Sequence, residues 1–142
     1  MGAQENKDRF RRAFEALFNE GNLAVADELF DPNFLGHAPP NPIRGPQGLK
    51  QTVDMYRKAL PDLHLTIEDQ IAQGDRLANR WTARGTHRGE LMGIPPTGKP
   101  VTLTGITINR WAGGKIVEGW TEINLMGVMQ QLGVVPAPGA RA

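Results

Sequence analysis

Residues 61–72 read Pro61-Asp62-Leu63-His64-Leu65-Thr66-Ile67-Glu68-Asp69-Gln70-Ile71-Ala72, and the fold turns on them. Leu63, Leu65 and Ile67 alternate with His64, Thr66 and Glu68, so apolar residues recur every second position, as in a half-buried strand. Just upstream the period is 3.6. Leu49, Val53, Tyr56 and Leu60 mark one helical face behind Pro46, which suits a first turn, and Pro61 closes that helix. The chain therefore changes from helical to extended at Pro61.

Working back from this point, residues 31–45 contain Asp31-Pro32, His37, Pro39, Pro40, Pro42 and Gly45 and read as a loop. A short helix from Leu23 to about Phe30 precedes it, with Asn22 placed to cap it. Phe10, Phe14, Leu17 and Phe18 define a longer helix ended by Gly21. Working forward, Gly74-Asp75 turns into a strand over about 76–87, and a Val-, Thr- and Ile-rich strand spans about 100–111. Gly113-Gly114 makes a hairpin into a strand from Lys115 to about Leu125, and a short helix over 125–132 stops at Gly133. Three helices followed by a four-strand antiparallel meander is α+β, and a long curled sheet of this kind leaves a pocket against its helices. Residues 1–142 form one domain, with 1–6 and 134–142 expected to be loose.

Composition narrows the chemistry. The chain has no cysteine, which excludes disulfides, cysteine-ligated metals and thiol nucleophiles, and no serine, which excludes serine hydrolysis. His37, His64 and His87 lie apart, without metal-ligand spacing, so no metal is expected. Gly93-Ile94-Pro95-Pro96-Thr97-Gly98-Lys99 imitates a phosphate loop, but its prolines lack the N–H groups that cradle phosphate. Arg76, Arg80, Arg84 and Arg88 share one strand face. With 16 basic against 15 acidic residues, they are expected to pair carboxylates such as Glu68 or Glu118 rather than nucleic acid. No apolar run reaches bilayer length and Met1 to Lys7 lacks a signal-peptide core, so the expectation is a cytoplasmic protein without membrane partners.

Several segments agree in order and spacing. They are Pro61-Asp62-Leu63; Gly74-Asp75-Arg76-Leu77-Ala78 with Arg80-Trp81; Gly85-Thr86-His87-Arg88-Gly89-Glu90; Gly93 to Lys99; Gly114-Lys115-Ile116-Val117-Glu118-Gly119-Trp120; and Gln130-Gln131-Leu132-Gly133. From about residue 7 to 133 the chain resembles the SnoaL-like polyketide (ester) cyclases of the nuclear transport factor 2-like superfamily. The resemblance implies a cone-shaped, cystatin-like α+β barrel, a curled antiparallel sheet packed on N-terminal helices. It also implies a deep cavity, no cofactor, a homodimer and aldol-type ring closure. In such cyclases an aspartate four residues after the last-strand Trp resembles the acid/base; here that position is Asn124, which can donate a hydrogen bond but cannot take a proton.

The nearest carboxylate is Glu122, on the face of Glu118, Trp120 and Asn124 if the strand runs regularly; an outward ion pair is the alternative, and a bulge would reverse the parity. The leading expectation is cofactor-free acid–base chemistry on a hydrophobic carbonyl compound. Glu122 or His37 is the base, and Asn124, His87 and Trp81 polarise or position the substrate. Trp120, Phe34, Met55, Tyr56 and Ile106 are the candidate wall. The rivals are epoxide or ester hydrolysis by a carboxylate-activated water and non-catalytic binding of an apolar molecule. A pocket-facing carboxylate with a raised pKa favours an enzyme; a cavity whose only polar groups are Asn124 and backbone amides favours a binder. Leu91, Met92 and Ile94 are expected at the pocket mouth or a subunit contact.

Overall fold

The computed structural model describes residues 2–38 and 41–135. In chain order these form α1 (Ala3–Glu20), α2 (Val25–Leu29), β1 (Phe30–His37), β2 (Ile43–Arg44) and α3 (Gly45–Ala59). Then come β3 (His64–Gln73), β4 (Arg76–Thr86), β5 (Pro100–Ala112), β6 (Lys115–Ile123) and α4 (Leu125–Gln131). The expected α+β architecture is the one observed: N-terminal helices packed on a curled sheet. The two glycine signals act as read. Gly21 ends α1 at φ 69 with its N–H on the Leu17 carbonyl, and Gly113-Gly114 turn the β5–β6 hairpin at φ 59 and 78.

Two segments differ. α1 begins at Ala3, inside the stretch expected to be loose, and residues 136–142 of the expected tail lie outside the described residues. Residues 30–37 are a strand, not a helix end and a loop: β1 runs parallel to β6, with Leu35 opposite Glu118, Gly36 opposite Gly119 and His37 opposite Trp120. Pro32 breaks the local strand signal but falls where the β1–β6 register shifts, so its missing N–H costs no ladder bond. The sheet order is β2-β1-β6-β5-β4-β3, and β1–β6 is the parallel pair in an otherwise antiparallel sheet of the described residues.

Strand alternation puts Leu63, Leu65 and Ile67 of the β3 segment, Leu77, Trp81 and Ala83 of β4, and Val101, Leu103 and Trp111 of β5 on the concave face. They meet Phe10, Phe14 and Leu17 of α1 and Leu49 and Val53 of α3, all buried. Phe10 and Phe14 stack at 4.0 Å. Two one-residue bulges interrupt the alternation. Ile67 faces Trp81 and Asp69 faces Arg80, leaving Glu68 extra; Trp111 faces Ile116 and Arg110 faces Glu118, leaving Val117 extra.

The β4–β5 connection packs inward. Leu91 is buried and bridges Ile94, and His87 clamps the segment from below. Its Nδ1 accepts the Thr97 N–H at 3.2 Å and lies 2.9 Å from the Thr97 hydroxyl. No helix of the described residues is long and apolar enough to cross a membrane.

Trp81 and Gly105 sit opposite one another on β4 and β5. A Cβ at Gly105 would overlap the Trp81 indole and lie 2.8 Å from the Glu122 carbonyl oxygen, whereas one at Gly119 would meet nothing closer than 3.5 Å. Gly105→Ala should therefore destabilise the fold by about 1–3 kcal/mol, as overpacking does, while Gly119→Ala stays within about 1 kcal/mol. Urea denaturation of both variants, followed by tryptophan fluorescence, measures this; equal midpoints would refute the close approach.

Candidate active site

Between the concave face and the helices lies a cavity of about 690 Å³, within the range of small-molecule sites. α1 contributes Phe14 and Phe18, α3 contributes Leu49, Thr52, Met55 and Tyr56, and the sheet contributes Trp81, Ala83, Leu103, Thr107, Thr121 and Ile123. Met92 closes part of the wall from the β4–β5 connection, at φ 52, the non-glycine residue in the left-handed region among those described. The lining is mainly apolar, and beside the Thr52 and Tyr56 hydroxyls its polar groups stand at two places. At one end stand Asn41, Arg44, Gln47 and Gln51; at the sheet, Thr107 faces Thr121 with hydroxyl oxygens 3.0 Å apart.

Arg44 is the one charged side chain among the described lining residues, and no Asp, Glu or His joins it. The residues outside the description contain no Asp, Glu or His either. Burial pushes the Tyr56 hydroxyl pKa up, so at neutral pH it remains a phenol that can donate. Neither the Tyr56 hydroxyl nor the Arg44 guanidinium makes a hydrogen bond or ion pair among the described residues. The cavity can donate hydrogen bonds but supplies no side-chain carboxylate or imidazole base.

The structure brings Trp81, Met55 and Tyr56 to the cavity and takes the other expected site residues elsewhere. Glu122 is exposed on the convex face and Ile106, opposite it on β5, is half exposed. The reason is the bulge at Val117. Ile116 points into the core, the bulge inverts the alternation, and Glu118, Trp120 and Glu122 then point outward together. Asn124 lies beyond the strand end and caps α4, its Oδ1 accepting the Gly127 N–H at 2.9 Å. Phe34 is buried beside Phe30, edge to face at 4.8 Å, beneath Gly36 and Gly119. His87 is fully buried; with Nδ1 accepting, its proton sits on Nε2, which has no partner among the described residues.

His37 joins Glu118 and Trp120 on the convex face. Its Nε2 lies 2.8 Å from the Glu118 carboxylate and its ring stacks on Trp120 at 5.6 Å. Arg76 covers the indole from 5.0 Å, and Arg110 donates to Glu118 at 3.1 Å. The His37 hydrogen bond, then Arg110, hold the Glu118 carboxyl below the usual carboxylate range. Of the arginine stripe, Arg80 binds a carboxylate, Asp69 at 2.6 Å, while Arg76 lies over Trp120 and the carboxylate of Glu118 is held by Arg110, outside the stripe. Sequence reading missed Arg44, Thr107 and Thr121. The legible signal for Thr107 was a polar residue on the apolar parity of β5, between Leu103 and Trp111.

A family model for SnoaL-like polyketide cyclases matches residues 8–132. Among solved structures, TsrD from Streptomyces laurentii is similar at 28% identity and TM-score 0.86, covering 95% of this chain and 99% of that one. AclR from Streptomyces galilaeus is similar at 30% identity and TM-score 0.78, covering 92% of this chain and 84% of that one. IdmH from Streptomyces antibioticus shares 33% identity at TM-score 0.77, covering 89% of this chain and 97% of that one. No curated protein matches the chain by sequence.

Because the Glu118 pKa is depressed in the folded state, its stabilising contribution is present above the unfolded carboxylate pKa and is lost as pH falls through the folded value. Wild-type urea midpoints should drop between about pH 5 and pH 2, and Glu118→Gln should flatten part of that limb without changing cavity binding. Parallel acid limbs for the two proteins would show that the cluster contributes nothing.

Proposed function

The chain belongs to the SnoaL-like polyketide cyclase family, and on that premise we propose that it encloses an apolar polycarbonyl compound and promotes its ring closure without a cofactor. One observation carries this reading: an apolar cavity of about 690 Å³ whose polar side chains can all donate hydrogen bonds, with no carboxylate or imidazole among its described lining. Such a wall suits an intramolecular aldol addition in which an enol carbon attacks a carbonyl within one folded chain. The enol oxygen loses a proton and the new alkoxide gains one, so the reaction is balanced without a resident base. The protein's contribution is then to hold the reacting carbons together and to donate hydrogen bonds to the developing oxyanion. Tyr56, kept protonated by burial, is the donor assigned to that oxyanion, and Arg44 favours acidic over basic ligands at its end of the cavity. Hydrolysis through a carboxylate-activated water finds no carboxylate in this wall.

The same observation favours a second reading, a binder that holds an apolar carbonyl compound and leaves it unchanged. The two part on turnover. With an aryl-substituted 1,3,5-triketone, wild type should yield cyclised product, detected by chromatography and mass, at least about tenfold faster than buffer, and Tyr56→Phe should lose about 10²-fold or the whole acceleration. A triketone that binds but closes at the buffer rate would establish the binder.

We also propose a two-fold dimer through the convex face. Ile71, Ala78, Ile108 and Trp120 line up in one row across four strands, and Ile71 and Ile106 are 70% and 50% exposed. A row of apolar side chains on a sheet surface is self-complementary under a two-fold axis. Light scattering at high micromolar concentration should give a dimer for wild type and a monomer for Ile108→Lys. A monomeric wild type refutes the assembly.

A further inference from the structure

The sheet wall of the cavity contains three hydrogens and only two internal places to put them. The Trp81 indole donates to the Thr107 hydroxyl oxygen at 3.0 Å, and an indole nitrogen can do nothing else. Thr107 and Thr121 each carry one O–H, and one hydrogen lies between their oxygens, 3.0 Å apart. The hydroxyls make no other hydrogen bond among the described residues. One O–H is therefore left over. Thr107 is 6% exposed and Thr121 is the more open of the two, so the chain runs from Trp81 through Thr107 to Thr121. With Thr107 the donor across the pair, the spare hydrogen belongs to Thr121, a lining residue of the cavity.

We propose that Thr121 is a hydrogen-bond donor site for a ligand's carbonyl oxygen, oriented and polarised through Thr107 by the Trp81 N–H. The inference rests on the reading of the cavity as a site for an apolar carbonyl compound and adds where its oxygen docks. Each link has a structural cause. Thr107 and Thr121 are directly opposed across the β5–β6 ladder, which fixes the spacing of their oxygens. Gly105, with no side chain, lets the Trp81 indole lie across β5 and reach Thr107 two residues further on. Neighbouring wall residues Ala83, Leu103 and Ile123 are apolar and limit competition from water, and donors in series strengthen one another in such surroundings. Thr121 is thus a positioning residue for the ligand, with a chemistry that favours an acceptor oxygen over an apolar group at that point.

The test uses the full chain and two probes of matched shape, 2-acetylnaphthalene and 2-isopropenylnaphthalene, which differ in a carbonyl against a methylene. Wild type should bind the ketone about three- to tenfold more tightly than the alkene. Its isotope-labelled carbonyl stretch should move to lower frequency when bound. Thr121→Val should erase both the preference and the band shift while alkene affinity holds, and Thr121→Ser, which restores the hydroxyl, should restore both. Equal binding of the two probes by wild type, or a band shift that survives in Thr121→Val, overturns the proposal. If the alkene binds and the ketone gains nothing, only the oxygen site falls; if neither probe binds, the cavity reading falls with it.

Discussion

Between Arg110 and Trp111 the β5–β6 ladder slips by one residue, and much of the molecule's chemistry depends on that slip. A strand can present a side chain to only one of its two faces, so an extra residue exchanges everything beyond it. With Val117 extra, Ile116 and Trp111 stay in the core while Thr121 and Ile123 reach the cavity. The carboxylates of Glu118 and Glu122 go outward by the same inversion. A cavity without a carboxylate or imidazole among its described lining is thus a consequence of backbone register, not of a shortage of acids in the composition.

A run of polar side chains inside the molecule is tied into the frame. Arg11 of α1 donates to Gln70 at 3.2 Å, Gln70 to Asn79 at 3.0 Å, and Asn79 to Asn109 at 2.9 Å and to the Thr107 carbonyl at 3.1 Å. Asn79 and Asn109 are buried, and an unpaired amide there would cost about 1–3 kcal/mol. Paired, the chain ties α1 to three successive strands and fixes the backbone around Thr107. Site geometry and fold stability are coupled through these side chains, so the donor wall is held by the frame and does not depend on a loop.

Most of the framework was legible from local pattern. The switch of hydrophobic period at Pro61, the αL glycine at 21 and the Gly113-Gly114 turn each have a cause within a few residues of themselves, and the elements appear where those causes put them. β1 was not legible, because Asp31-Pro32 and Gly36 carry loop signals and the segment becomes a strand only by pairing with β6, more than 80 residues away in sequence. Trp81, Met55 and Tyr56, expected to position the substrate or to form the wall, line the cavity. Glu122, Asn124, His37, His87, Phe34, Trp120 and Ile106 stand outside that lining, since their placement depends on a bulge, a helix cap, a loop clamp and a parallel neighbour.

By itself, then, the sequence determined the α+β class, the element order, the family and the exclusion of thiol and serine chemistry, because periodicity, turn residues and composition are local or summed properties of the chain. Only the tertiary structure decided which face of β6 meets the cavity and which hydroxyls meet across β5 and β6. It also decided which carboxylates are spent on cations at the surface. These are matters of register between strands distant in sequence, and a single unopposed residue reverses them without leaving a mark in the pattern of amino acids.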